Sequence, residues 1–99
     1  MAEDAVFLTA RFNARPGKED ELRAKLESLV EPTRAEEGCV FYYLHQVKGR
    51  KGRFLFYECF RDQEAFDAHS NAPYLKAFFA ESDRLASGEP EITFLEKIR

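Results

Sequence analysis

The sequence of 99 residues predicts an α+β fold in which one antiparallel sheet is covered by helices on a single side. Three features support this class: segments with two-residue apolar alternation, segments with apolar residues at helical spacing, and Gly- or Pro-containing breaks between them. Strand and helix segments follow each other in the order β-α-β-β-α-β. Residues 1–99 are expected to form one domain, because this length is close to the common domain size.

The first half of the chain predicts a strand, a long helix and a second strand. Residues 6–13 alternate between apolar and mixed side chains, with Leu8 among the apolar set, and therefore predict a strand. Apolar residues then recur at helical spacing from Lys18 to about Glu36, and Pro32 is expected to end or bend this helix. The aromatic and β-branched residues 39–47 predict the second strand.

The second half predicts a hairpin partner, two helices and a last strand. A basic, Gly-containing segment leads from the second strand into a third at residues 54–60. Asp62 is suited to cap a short helix over residues 63–70, and Pro73 to begin a helix over residues 74–86. Residues 92–98 predict the last strand. This order of elements is that of the ferredoxin-like fold.

Both faces of the third strand are apolar, although the helices can cover only one face of the sheet. Phe54, Phe56 and Phe60 fall on one face, whereas Tyr57 and its alternate neighbours fall on the other. An exposed apolar face of this size invites aggregation unless another surface covers it. The sequence therefore predicts a homodimer in which two sheets pack face to face into a barrel-like core.

Charge and hydropathy argue against two classes of partner. The net charge is −3, and Lys and Arg are interleaved with Asp and Glu, whereas nucleic-acid-binding domains usually carry a basic face. The sequence has no apolar run of 18 residues, and Ala2-Glu3-Asp4 does not resemble the start of a signal peptide. We expect a cytoplasmic protein without nucleic-acid or membrane partners.

Sequence motifs for cofactors and metals are absent. The chain contains no GxGxxG, P-loop or CxxC motif, and its two histidines are His45 and His69. Cys39 and Cys59 lie in apolar strand sequence and are expected to remain thiols in a reducing compartment. The sequence therefore predicts neither a metal site nor a cofactor.

Several short motifs, in their order and spacing, resemble the antibiotic-biosynthesis monooxygenase (ABM) domain. They are Arg15-Pro16-Gly17-Lys18, Glu36-Glu37-Gly38-Cys39, Tyr42, Tyr57-Glu58, Asp62, His69, Pro73 and Lys76. The resemblance covers nearly the whole chain. It implies a dimeric α+β barrel with a pocket between the sheet and the helices of each subunit.

The ABM family has three subgroups with different chemistry. Quinol monooxygenases oxidise reduced aromatics with O₂ and no cofactor, heme-degrading members use heme as the substrate, and an isomerase acts on a phosphorylated autoinducer. The heme subgroup is a poor match, because its pocket Asn, Trp and ligand His would fall at Ala10, Phe60 and near Phe79. The resemblance therefore favours the quinol or the isomerase subgroup.

Glu58 and His69 are the predicted catalytic residues. His69 shares the apolar side of the short helix, and pocket placement in similar proteins implies that Glu58 lies on the helix-covered face of the third strand. We expect the Glu58 carboxylate to fix one ring nitrogen of His69, leaving the other as a general base. The alternative is a structural hydrogen bond between helix and sheet. The predicted substrate-binding residues are Tyr42, Phe56, Phe60, Phe66, Tyr74 and Phe78.

The predicted function is cofactor-independent monooxygenation of a small aromatic or quinol-type substrate by O₂. Two alternatives remain. One is an isomerase or tautomerase of a small carbonyl compound, for which the basic segment Lys48–Arg53 would hold a phosphate or carboxylate. The same segment is otherwise a solvated hairpin loop. The other alternative is a non-catalytic dimer that binds an aromatic metabolite.

Overall fold

The computed structural model of the chain describes residues 4–99, so of the segment Ala2-Glu3-Asp4 only Asp4 lies among the described residues. The elements in chain order are β1 (Val6–Asn13), α1 (Glu19–Glu27), α2 (Val30–Arg34), β2 (Cys39–Gln46), β3 (Arg53–Phe60), α3 (Gln63–Ser70), α4 (Pro73–Leu85) and β4 (Glu91–Leu95). None of the helices within residues 4–99 has the length and apolarity that crossing a membrane requires.

The four strands form one antiparallel sheet in the order β2-β3-β1-β4. This confirms the predicted α+β, ferredoxin-like fold. The hairpin of β2 and β3 places Tyr42 opposite Glu58. β4 ends at Leu95, three residues before the predicted end, because its pairing with β1 runs only from Phe7 to Arg11.

The two faces of the sheet differ in what covers them. The face that carries Leu8, Ala10 and Phe12 packs against the helices, and the core lies between these two layers. The opposite face, which we call the open face, carries three rows of paired residues: Phe7 with Cys59 and Phe41, Thr9 with Tyr57 and Tyr43, and Arg11 with Leu55 and His45. Tyr43 and Tyr57 are 49% and 37% exposed, so the open face leaves large aromatic surface in contact with solvent.

The first helix breaks earlier than the sequence predicts. We expected Pro32 to end or bend one helix, whereas α1 ends at Glu27 and Pro32 lies inside the separate helix α2. Proline lacks the N–H that would bond to the carbonyl four residues earlier, and its ring clashes with that carbonyl. For Pro32 the carbonyl belongs to Ser28. The break therefore falls at Ser28 and Leu29, where the Leu29 N–H donates to the Leu26 carbonyl in a tightened turn.

A close contact between α3 and the start of β2 positions the later site. Asp62 caps α3 by accepting a hydrogen bond from the Ala65 N–H at 2.9 Å, as predicted. Gly38 lies so close to this turn that a Cβ at position 38 would overlap the Cβ of Ala65. His69 lies four residues after Ala65 and therefore on the same side of α3. Because Gly38 has no side chain, α3 can pack close to the sheet, and His69 is buried against it.

Candidate active site

The site begins with one row of side chains across the helix-covered face of the sheet. Leu8, Glu58 and Tyr42 are paired in register across β1, β3 and β2. All three are nearly inaccessible, with 2%, 4% and 2% of their surface exposed. A carboxyl group therefore lies in the core beside a phenol, on the helix-covered face that pocket placement in similar proteins implies.

His69 reaches this row from α3 and is also buried, with 4% of its surface exposed. Its ring is surrounded by the aromatic rings of Phe60, Tyr42 and Phe66, whose centroids lie 4.8, 5.5 and 6.3 Å away. Its Nε2 lies 4.0 Å from Glu58 Oε1. The two predicted catalytic residues thus meet beneath the helices, although this separation is longer than a hydrogen bond.

The hydrogen-bond partner of His69 is Glu36, which the sequence analysis did not single out for the site. Glu36 follows α2, and its Oε2 lies 3.1 Å from His69 Nδ1. The Tyr74 hydroxyl, in the first turn of α4, donates a hydrogen bond to the same oxygen. This corrects the expectation that Glu58 fixes a nitrogen of the ring: Glu36 makes that contact, on the side of the ring away from Glu58.

Burial changes the protonation of the groups around His69. Desolvation, followed by the negative charge of Glu36, raises the pKa of Glu58 from 4.5 to about 8. Glu58 is therefore a neutral carboxylic acid at neutral pH. Desolvation and then the charge of Glu58 raise the pKa of Tyr42, while desolvation and the hydrogen bond to Glu36 raise the pKa of Tyr74 to about 12. Both phenols thus remain hydrogen-bond donors.

A cavity of about 210 Å³ lies between the sheet and the helices, and Glu58 and His69 line it together. Apart from Tyr42 and Ser70, its other lining residues are apolar: Leu8, Ala10, Phe12, Leu29, Phe56, Phe66, Leu75, Phe79, Pro90 and Ile92. Phe79 and Ile92 are 42% and 43% exposed, so the cavity reaches the surface between α4 and β4. The His–Glu pair lies at the deep, buried side.

The structure brings together some of the predicted binding residues and separates others. Tyr42, Phe56 and Phe66 line the cavity. Phe60, Tyr74 and Phe78 do not: Phe60 packs on the His69 ring, Tyr74 bonds to Glu36, and Phe78 is buried against Phe12 in the core. The sequence signal that could have identified Glu36 was its place in the segment Glu36-Glu37-Gly38-Cys39, which carries part of the ABM resemblance.

The basic hairpin segment and the cysteines lie outside the cavity. No residue of Lys48–Arg53 lines the cavity, and Lys51 instead pairs with Asp20 of α1 at 3.4 Å. Cys39 and Cys59 are free thiols. Burial, followed by the charges of Glu36 and Glu58, raises the pKa of Cys39 to about 11, which disfavours the reactive thiolate.

The acidic groups around His69 are not arranged as a metal site. Glu36 and Glu58 approach opposite nitrogens of the ring, so the three side chains do not converge on one point. Among residues 4–99, no group of three or more His, Cys, Asp or Glu side chains has a metal-holding arrangement.

Comparisons with known proteins match this architecture. A sequence model described as antibiotic biosynthesis monooxygenase (ABM) matches residues 5–81. The chain belongs to the ABM family. A Mycobacterium tuberculosis relative of this ABM domain, named "Putative monooxygenase Rv0793", is 33% identical over 91% of this chain and 88% of its own length. Family membership supports a monooxygenase-type function.

Two further comparisons define how far the similarity extends. The crystal structure of PA3566 from Pseudomonas aeruginosa has a TM-score of 0.92 at 31% identity, covering 97% of this chain and 96% of that one. The uncharacterized protein sll1783 of Synechocystis is 31% identical over 92% of this chain. The ABM domain described here spans only 62% of the length of that protein.

The raised pKa of Glu58 predicts that Glu58→Gln changes how stability depends on pH. In the native protein, folded Glu58 keeps its proton between pH 4.5 and about 8, whereas the unfolded chain releases it. The Glu58 contribution to stability therefore falls as pH rises through this window. The variant lacks this loss, so the free energy of unfolding of Glu58→Gln relative to that of native protein is expected to increase as pH rises through the window. The total increase is a few kcal/mol, because each unit of pKa difference corresponds to about 1.4 kcal/mol.

Urea unfolding of both proteins at pH 5 and at pH 8.5 measures this difference. Glu64→Gln, which removes an exposed carboxylate from α3, is the matched control. A Glu58→Gln difference that is the same at both pH values contradicts the raised pKa.

Proposed function

We propose that this ABM-family chain is a cofactor-independent monooxygenase that oxidises a small aromatic or quinol-type substrate with O₂. His69 is the general base in this proposal, and Glu58 is a neutral acid beside the substrate. The single observation that carries the proposal is the mostly apolar cavity in which the Glu58 carboxyl group and the His69 imidazole lie together at the buried side.

The substrate supplies the electrons, and the protein supplies a base in a dry cavity. His69 Nε2 takes the proton of one substrate hydroxyl, because Nδ1 is already hydrogen-bonded to Glu36. The resulting anion transfers an electron to O₂, and the substrate radical and superoxide then join in a new C–O bond. For a hydroquinone, cleavage of the O–O bond leaves one oxygen atom in a hydroxyquinone and releases the other as water. The sum, hydroquinone plus O₂ giving hydroxyquinone plus water, balances.

A neutral Glu58 suits a substrate that becomes an anion. An ionised carboxylate next to a phenolate would repel it strongly in apolar surroundings. The protonated acid, favoured below about pH 8, can instead donate a hydrogen bond to the substrate oxygen or to reduced oxygen. Glu58 and His69 therefore have different roles although their side chains are adjacent.

The size and charge of the cavity favour a neutral substrate with one ring. A cavity of about 150 Å³ is large enough to bind benzene, so 210 Å³ accommodates a substituted single ring. A tetrapyrrole is far larger. No Lys or Arg side chain is among the lining residues, which argues against the phosphate-binding role considered for Lys48–Arg53 in an isomerase.

Oxygen uptake with a panel of hydroquinones tests the proposed activity. We expect uptake with single-ring hydroquinones and little with fused-ring ones. His69→Ala is expected to lower the rate about a hundredfold or more, which is the usual range for loss of a general base. His45→Ala, an exposed histidine on β2, is the matched control.

Native protein that consumes oxygen no faster than the uncatalysed reaction rules out the proposed activity. Turnover of a carbonyl substrate under strictly anaerobic conditions would instead support the isomerase alternative, since that reaction does not use O₂.

Glu58 is expected to make the enzymatic rate fall as pH rises through about 8, because its ionised form disfavours the substrate anion. In Glu58→Gln no charge forms at that position. The ratio of kcat/KM at pH 9 to that at pH 7 is therefore expected to be about tenfold higher in Glu58→Gln than in native protein. Both ratios are measured from the product formed in reactions that are stopped at fixed times, after correction for spontaneous oxidation at each pH. Equal ratios in the two proteins contradict the proposed role of Glu58.

We also propose that a second copy of the chain covers the open face. This face carries Tyr43 and Tyr57 as exposed aromatic residues, with stacked rings of Phe41 and Tyr43 at 5.2 Å. Contiguous apolar surface of this kind is typical of an interface. A second copy supplies the same surface, and two equal sheets can pack with two-fold symmetry.

The dimer proposal predicts that Tyr57→Lys shifts the protein toward monomer, because Tyr57 lies in the middle row of the open face. Sedimentation velocity at several concentrations measures the shift. Ala77→Lys, which places the same charge at an exposed position of α4, is the control and is expected to sediment as the native dimer does. Native protein that sediments as a monomer at all concentrations contradicts the proposal.

A further inference from the structure

On the side that faces away from Glu58, the His69 ring of α3 lies next to residues from two other parts of the chain. Glu36 comes from the segment between α2 and β2, and Tyr74 comes from the first turn of α4. Glu36 is fixed on both sides by backbone hydrogen bonds, since its N–H donates to the Thr33 carbonyl at 3.0 Å and its carbonyl accepts from the Cys39 N–H at 3.1 Å. The position of its carboxylate is therefore set by the backbone as well as by its side-chain contacts.

The direction of the hydrogen bonds follows from the donors that are present. A phenol hydroxyl beside a carboxylate donates, so Tyr74 makes Glu36 Oε2 an acceptor. The same oxygen lies 3.1 Å from His69 Nδ1, and an acceptor oxygen requires the proton to be on that nitrogen. Among residues 4–99, the buried Oε1 of Glu36 has no hydrogen-bond partner, so His69 and Tyr74 provide the side-chain donors to this carboxylate.

We propose that Glu36 is a positioning residue that sets the tautomer and orientation of His69, with Tyr74 holding Glu36 in place. With its proton on Nδ1, the neutral ring presents the lone pair of Nε2 toward Glu58 and the cavity. Glu36 does not line the cavity and so acts through His69. Its role in turnover rests on the proposed function, whereas its effect on the tautomer does not.

The surroundings of the ring explain why this contact matters. The other neighbours of His69 are aromatic rings and Glu58, and Glu58 lies beyond hydrogen-bond distance of Nε2. Without Glu36, the Nδ1 proton would lose its carboxylate acceptor. The ring is then expected to shift its proton toward Nε2, the nitrogen that faces the cavity, and the base would lose its lone pair on that side.

Nitrogen NMR of ¹⁵N-histidine-labelled protein tests the tautomer without any substrate. In native protein at a pH where the ring is neutral, we expect the proton on Nδ1 of His69; the His45→Ala variant assigns the signals. Glu36→Ala is expected to shift the proton mainly to Nε2. Glu36→Gln keeps an amide oxygen that can accept from Nδ1, so it is expected to retain the native tautomer at least in part. Glu37→Ala, an exposed neighbour, is the control and is expected to leave the tautomer unchanged.

A native ring with its proton on Nε2 overturns the proposal, and this measurement does not depend on any variant folding. An unchanged tautomer in folded Glu36→Ala overturns it as well.

In oxygen uptake, Glu36→Ala is expected to lower kcat about tenfold to a hundredfold, the usual effect of losing the partner that orients a functional histidine, with a much smaller change in KM. If native protein shows no uptake, the proposed activity fails while the NMR result still decides the role of Glu36.

Discussion

Glu58 lies at a position of β3 where strand alternation directs its carboxyl group beneath the helices. Its neighbours on that face, Phe56 and Phe60, are core residues with 1% and 0% exposure. A shift of one residue in register would place Glu58 in solvent and expose both rings, at a far greater cost in apolar burial. The fold therefore keeps the carboxyl group buried, and the raised pKa is the consequence, since a neutral acid costs less to bury than a carboxylate.

The second carboxyl group of the cluster is less buried and has hydrogen-bond donors. The Glu36 side chain is 20% exposed, compared with about 5% for that of Glu58. A carboxylate that accepts hydrogen bonds from Tyr74 and His69 is less costly to ionise than one without donors in the core. The charge of Glu36 in turn helps to keep Glu58 protonated. The two acids that flank one imidazole thus differ in burial and in their hydrogen-bond donors, which supports the different roles proposed for them.

Local patterns in the sequence predicted much of the fold and part of the site. Alternation in β3 put Glu58 on one face with Phe54, Phe56 and Phe60, and the resemblance to the ABM domain implied that the helices cover that face. The contact of Glu36 with His69 joins residues 33 positions apart. It depends on the break of the first helix at Ser28 and on the close approach of Gly38 to Ala65, neither of which follows from local periodicity. The ABM resemblance implied a pocket between the sheet and the helices, but not its volume, which is what remains after the Phe side chains have packed.

β4 connects the cavity to the open face. Its strand residues are all exposed, and within residues 4–99 its sheet pairing is to β1 alone. Ile92 pairs with Ala10 on the helix-covered side and borders the cavity, whereas Leu95 pairs with Phe7 on the open side. A partner sheet packed on the open face would bury Leu95 and restrain β4, and thereby also Ile92 at the cavity rim. A second copy on the open face, as proposed, would therefore act on the cavity rim through this strand.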